Sequence, residues 1–276
     1  MRPPVDPILV EIGPLALRWY GLLLVGGMIA AAAVASRHVQ RKGHNGEDVW
    51  DMLVWILLPA LIGARLYYVF IQSSPENLQY FLDNPLQIIA IWTGGIHIFG
   101  AFIFGSIALF FFVRIRQLPA LVFFDGVGLG LPLGQAIGRL ANFINQELYG
   151  PPTTLPWGLD IDQFHRIAPY NDMTQYPAST RFHPLFLYEV LWNFSGFLMI
   201  FWISRRFEKQ LKNGDLLLMY LMWYPLGRFM LEFIRTDSWF FGGTPFNTVH
   251  IISAIAVIGS AAILFIRHRG GSAQAA

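Results

Sequence analysis

Seven stretches of about twenty apolar residues, at 15–36, 50–71, 94–113, 119–138, 184–204, 215–234 and 248–266, run through this chain of 276 residues. A helix of that length, rising ~1.5 Å per residue, covers the ~30 Å hydrocarbon core of a bilayer. In lipid a single spanning segment must satisfy its own backbone hydrogen bonds, and a helix does so. The chain is therefore expected to be an all-α integral membrane protein with about seven transmembrane helices. Composition bears on this through one number: only 13% of residues are charged, about half the share of a soluble domain. The segment ahead of the first run, MRPPVDPILVEIGP, lacks the basic n-region of a signal peptide, so that run is expected as a retained helix.

Orientation follows from the basic residues. Arg37, Arg41 and Lys42, then Arg114 and Arg116, then Arg205, Arg206, Lys209 and Lys212, then Arg267 and Arg269 follow the odd-numbered runs and include every lysine. The opposite side holds only Arg2, Arg18, Arg166, Arg181 and Arg235. The positive-inside bias puts the amino terminus outside and the carboxy terminus in the cytoplasm. Trp19, Trp92, Trp157 and Trp239 fall near the outer boundary and Trp50 and Trp202 near the inner one, as interfacial belts do, while Trp55, Trp192 and Trp223 fit the interior. Residues 1–269 are expected to form one polytopic domain, with an extracytoplasmic loop region at 150–183 between spans four and five and a disordered tail at 270–276. A loop of that length is usually functional or mobile.

Several classes of chemistry drop out. Without cysteine there is no disulfide, thiolate ligand or cysteine nucleophile, so any thiol in the chemistry belongs to a substrate. The seven histidines include no pair at ligand spacing, and no metal is expected; His165 and His250 are read as surface or boundary groups. A net charge of +2 is too balanced for a nucleic-acid partner. No phosphate-binding loop of the P-loop type occurs, and no cofactor is expected. Gly126, Gly130, Gly134 and Gly138 recur every fourth residue, a ridge that lets helix backbones approach closely in lipid. Asp125 beside it is expected to be a hydrogen-bond acceptor.

Charged groups inside membrane runs are costly and point to function. Arg65 and Arg228 lie roughly 20 Å from the inner starts of their runs, and Arg139 about 30 Å from its own. Tyr20, His97, His183 and Glu189 open runs that enter from outside, so all these groups fall in the outer half. Glu232 shares a face with Arg228 at i, i+4. Pairing of Arg228 with Glu232, and of Glu189 with Arg65 or Arg139, accounts for part of the set. Three arginines against two carboxylates still call for an anion. A phospholipid phosphate lies at that depth, and the guanidinium fork matches its oxygens.

At Gly138 the chain reads GRLANFINQELYG, ending at Gly150. This segment resembles the signature of bacterial prolipoprotein diacylglyceryl transferases, and five others agree in order: RWYGLLLVGG at 18–27, GARLYYVF at 63–70, GGIHIFGA at 94–101, HPLFLYE at 183–189 and YPLGRFMLEFIR at 224–235. The resemblance implies a multi-pass enzyme of the bacterial cytoplasmic (inner) membrane, its active site toward the outer leaflet. It would move the diacylglyceryl group of phosphatidylglycerol onto the lipobox cysteine of a prolipoprotein, releasing glycerol 1-phosphate, the first step of lipoprotein maturation. Its partners would be phosphatidylglycerol, the prolipoprotein signal peptide and membrane lipids, and a monomer is expected.

Position by position, the resemblance puts catalysis on Arg139, Arg228, His97, Tyr20, Asn142 and Glu147. Phosphatidylglycerol would be bound by Arg139, Arg228, Tyr224, Glu232, Gly150 and Arg65. Two departures stand out. Ala141 replaces a usual glycine, and the family histidine of the third run is Phe99 here, with His97 two residues earlier. Positions i and i+2 share a face only in an extended segment, so His97 can substitute only if the stretch after Gly94 and Gly95 is not helical. The alternatives are a phospholipid transporter or flippase, and a catalytically inactive lipid-binding relative.

Overall fold

Each apolar run becomes a helix in the computed structural model, which describes residues 1–3, 7–12, 15–91, 94–236, 238 and 244–269. Trp92, Trp239 and the 270–276 tail lie outside the described residues. The helices are Trp19–Arg41 (α1), Glu47–Tyr67 (α2, continued by a π-helical turn Tyr68–Gln72), Pro75–Asp83 (α3), Pro85–Ile89 (α4), Ile98–Ile115 (α5), Ala120–Ile144 (α6), Leu185–Arg206 (α7), Asp215–Glu232 (α8) and Thr248–Arg269 (α9). Among the described residues α1, α2 with its π turn, α5, α6, α7 and α9 are long and apolar enough to cross a membrane. The architecture is that of a mostly helical multi-pass membrane protein. The remaining run, α8, has only 18 residues, and three of them, Asp215, Arg228 and Glu232, are charged.

The first run starts four residues later as a helix than its hydropathy suggests. Leu15–Arg18 is a strand (β2), paired antiparallel with Ile8–Ile12 (β1), so its backbone bonds run across to a partner chain segment before the helix begins at Trp19.

The chain divides into two compact units, Met1–Ala35 with Phe124–Ala276, and Ser36–Phe123. In the first, the expected glycine ridge is a contact with α1. A Cβ on Gly134 would stand 2.8 Å from the Gly27 carbonyl oxygen and one on Gly27 would stand 2.7 Å from that of Gly134. Gly130 lies against Ala31 and Gly126 against Ala35, whereas Gly138 faces open space. The backbones thus touch where a side chain would hold them apart. Asp125 is an acceptor, but its partners are across the unit: it takes the N–H of Gly214 at 2.7 Å and of Leu217 at 3.1 Å, capping the first turn of α8. Leu129, Ile200, Leu216 and Tyr220 form the core beside it.

The 150–183 loop is a folded cap. Two short antiparallel strands, Leu159–Asp160 (β3) and Arg181–Phe182 (β4), cross it, over a core of Tyr149, Leu159, Ile161, Phe182 and Phe186. Arg166 is buried within it, donating to the carbonyls of Ile161 at 2.9 Å and Tyr176 at 2.8 Å, its guanidinium 5.1 Å from the Phe182 ring.

In the second unit α2 packs on α5 through Gly63 and Gly100, where a Cβ on Gly63 would meet the Gly100 carbonyl oxygen at 2.6 Å. The start of α2 is tied to the end of α5 by Arg116 and Asp51 at 2.8 Å.

Candidate active site

The signature segment 138–150 is the end of α6 and the turn that leaves it. Asn142 is buried and donates through Nδ2 to Glu147 Oε1 at 2.8 Å; Asn145 reaches the same oxygen at 3.3 Å. Closing this loop forces Gln146 (φ 55°) and Leu148 (φ 60°) into the left-handed region, a strained backbone held by its surroundings. Gly150 follows with its N–H donating to the His183 carbonyl at 2.8 Å, and a Cβ there would stand 2.9 Å from the Ile234 carbonyl oxygen. Glycine is needed here for close approach.

Three residues before Asn142, Arg139 points to the same region, and its Nε lies 2.6 Å from Glu189 Oε2. Glu189, in the second turn of α7, is almost fully buried. Its other oxygen is 3.8 Å from Arg228 Nη1 and 3.8 Å from Arg235 Nη1. Arg228 Nη2 in turn meets Glu232 Oε2 at 2.9 Å, one turn along α8. Two buried carboxylates thus hold three guanidinium groups from α6, α8 and the turn after α8. Arg228 Nη1 is buried and has no hydrogen-bond partner among the described residues, so this donor stands open to an incoming acceptor. Tyr224, one turn before Arg228 on α8, stacks on Tyr220 with centroids 5.8 Å apart.

Arg235, Ser238 and Asn247 join the cluster without a sequence pattern that marks them as intramembrane groups. Ser238 Oγ donates to Glu232 Oε1 at 2.5 Å and Asn247 Nδ2 to the same oxygen at 2.8 Å. Asn247 also accepts the N–H groups of Val249 at 2.9 Å and His250 at 3.1 Å, capping α9. Arg235 was counted as an outer-loop charge, although its i+3 spacing from Glu232 was a usable signal. His250, read as a boundary group, is buried among Phe229, Phe233 and Phe246, because these rings close over the start of α9.

Of the remaining expected residues, Tyr20 lies in the first turn of α1 and is 39% exposed, and its hydroxyl makes no hydrogen bond among the described residues. Arg65 and His97 belong to the second unit. The Arg65 guanidinium is buried and donates to the carbonyls of Ile88 at 2.9 Å, Gln87 at 2.5 Å, Gly95 at 2.7 Å and Gly94. Four of its five donors are taken by the segment it organises. Gly94 and Gly95 adopt φ of 87° and 73°, and His97 is extended (φ −127°, ψ 132°) at the N-cap of α5, its Nδ1 accepting the Phe99 N–H at 3.3 Å. The stretch before α5 is therefore not helical, and the His97 and Phe99 rings are neighbours, 5.3 Å apart, with His97 also stacked on Tyr67 at 4.8 Å.

The family model described as prolipoprotein diacylglyceryl transferase matches residues 7–266. A protein of Chloroflexus aggregans is 37% identical over 98% of this chain and 92% of its own length. One of Synechococcus elongatus is 42% identical over 91% and 84%, and one of Streptococcus mutans 36% identical over 96% of each. All three are named phosphatidylglycerol–prolipoprotein diacylglyceryl transferase.

Proposed function

This chain belongs to the prolipoprotein diacylglyceryl transferase family, and from that premise we propose that it transfers the diacylglyceryl group of phosphatidylglycerol to the thiol of a prolipoprotein lipobox cysteine. The observation that carries the site assignment is the shared carboxylate: Glu189 holds Arg139 at 2.6 Å and Arg228 at 3.8 Å, so two guanidinium forks sit side by side with a donor of Arg228 unspent. That is the arrangement a phosphodiester needs. The transporter and inactive-relative alternatives are not favoured, since the relatives named above carry the transferase name.

In the proposed reaction a base takes the cysteine proton, because a thiol of pKa near ~8.5 is mostly un-ionised at neutral pH. The sulfur attacks the glycerol carbon that bears the phosphate ester. The carbon–oxygen bond breaks, its electron pair passes to the phosphate oxygen, and glycerol 1-phosphate leaves. Arg139 and Arg228 neutralise the charge that grows on that oxygen, the electrostatic role that usually dominates. Glu232 orients Arg228, with Tyr224 one turn inward. Asn142 orients Glu147, and Tyr20 offers a hydroxyl to the headgroup. Gly150 admits the close backbone approach that shapes the pocket. His97 and Glu147 are the two candidate bases. Arg65 is read as an organiser of residues 87–95 more than as a phosphate ligand, since its donors are committed to carbonyls.

The basic-residue bias supports seven spans within one polytopic domain, 1–269, with the amino terminus and the 150–183 cap outside. The site then faces the outer leaflet of the cytoplasmic membrane, in a monomer. The test mixes purified protein with phosphatidylglycerol and a lipobox peptide and follows peptide mass and glycerol phosphate. A diacylglyceryl gain that vanishes with Arg139→Ala is expected; an unmodified peptide under conditions where the Streptococcus mutans relative works would sink the assignment.

A further inference from the structure

One face of α7 carries Glu189, Asn193, Gly196, Ile200 and Ser204, all buried. Asn193 comes four residues after Glu189, about 6 Å further along the helix axis, which is inward on the proposed topology. It is 1% exposed, and neither Nδ2 nor Oδ1 has a hydrogen-bond partner among the described residues. An unpaired amide in an apolar span lowers stability, and leucine at this position would fill a similar volume without that cost. On the proposed topology polar groups also lie inward of Arg139 on α6 and of Arg228 on α8. One turn inward of Arg139, Gln135 Nε2 donates to the Tyr220 hydroxyl at 2.9 Å, and Gln135 Oε1 is buried without a partner. A neutral hydrogen-bonding layer therefore lies directly inside the ionic layer of Arg139, Glu189 and Arg228.

A glycerophospholipid has the same order of groups. Inward of its phosphate come the glycerol carbons and then two acyl ester carbonyls, which accept hydrogen bonds but carry no charge. Resting on the transferase assignment above, we propose that Asn193 is a substrate-binding residue whose Nδ2 donates to an acyl ester carbonyl of phosphatidylglycerol, so that the site distinguishes ester-linked from ether-linked chains. An ether oxygen offers no carbonyl in that position, and the amide would stay unpaired.

The experiment uses the full-length protein in vesicles, with diacyl phosphatidylglycerol or its dialkyl ether analogue. Transfer to a lipobox peptide is measured first, and then displacement of a fluorescent phosphatidylglycerol without peptide. The wild type should favour the diacyl lipid about tenfold in kcat/KM and in displacement. Asn193→Leu and Asn193→Ala should bring both ratios close to one by losing ground on the diacyl lipid alone, and Asn193→Leu should melt no lower than wild type. A wild-type ratio of one, or an unchanged ratio in either variant that folds, overturns the proposal. Failure of the wild type to modify peptide with either lipid would count against the transferase assignment, while the displacement ratio would still report on Asn193.

Discussion

Trp192 and Trp223 exchange hydrogen bonds between α7 and α8: each indole Nε1 donates to the other's backbone carbonyl at 2.9 Å, with ring centroids 4.5 Å apart and planes 17° from parallel. Gly196 and Gly227 make the exchange possible, since a Cβ on Gly196 would run into the Trp223 indole and one on Gly227 into that of Trp192. This reciprocal lock sets the register of the two helices that present Glu189 and Arg228. Gly196→Ala and Gly227→Ala should each cost about 1–3 kcal/mol by overpacking. A lowered thermal midpoint in detergent, with transfer activity falling alongside it, is the expected result; variants as stable as wild type would remove the lock from the account.

Arg228→Lys keeps the charge but has one ammonium where the fork reached two carboxylates and left a donor open. A loss of preorganised transition-state donors costs on the order of 10²-fold in kcat. Near-normal turnover in this variant would rule out bidentate phosphate binding.

Glu189 is the common partner of Arg139, Arg228 and Arg235. Glu189→Gln leaves these guanidinium groups facing one another with a neutral amide, and breaking a buried pair in this way costs roughly 3–5 kcal/mol. The variant should express poorly or melt well below wild type. If it melts normally and only transfer is lost, Glu189 acts in the chemistry more than in the scaffold.

His97 is on extended backbone at the N-cap of α5 and Phe99 is the second residue of the helix, their rings 5.3 Å apart. If His97 is the base, His97→Ala should lower kcat by about 10²–10⁴-fold, and adding Phe99→His should restore part of it. Full activity of His97→Ala would leave Glu147 as the base.

In the cap, burial lifts the Tyr149 hydroxyl above the ordinary tyrosine pKa, against the lowering effects of the Ile167 N–H and of Arg166. The folded chain keeps this proton to a higher pH than the unfolded chain, which releases it near pH ~10. The contribution is therefore complete below ~10 and is lost as pH rises towards the folded value. Melting curves between pH 9 and about 11.5 should fall more steeply for wild type than for Tyr149→Phe. The variant should be less stable at neutral pH, because the Ile167 N–H, now bonded to this hydroxyl at 2.6 Å, loses its acceptor.

The helices were legible because apolar length is a strong signal in lipid, and the arginine cluster because charge there is so costly. Arg139, Arg228 and Glu232 came from that cost alone. Arg235 was hidden by the charge count that assigned it to a loop, and Ser238 and Asn247 by having uncharged side chains. Strands of two residues, such as Leu159–Asp160 and Arg181–Phe182, have no periodicity to detect. Leu15–Arg18 was absorbed into a helical run because Arg18 alone interrupts the apolar residues that run from Leu15 into Trp19 and beyond. The Arg65 clamp depends on carbonyls 22 to 30 residues away, a closure that local pattern does not record.

The cap that Asp125 places on α8 bears on how the protein is made. A helix carrying Asp215, Arg228 and Glu232 is a poor candidate for unassisted release from the translocon into lipid. Yet when it emerges from the ribosome, Asp125 is already waiting for its first turn, and Glu189 for Arg228. Asp215 waits for later synthesis, until Arg267 and His268 arrive at 3.3 and 2.7 Å, and Glu232 waits for Ser238 and Asn247. On the seven-span topology, α8 is inserted as a client of helices made before it, and Arg228 reaches the bilayer with both of its carboxylate partners already made.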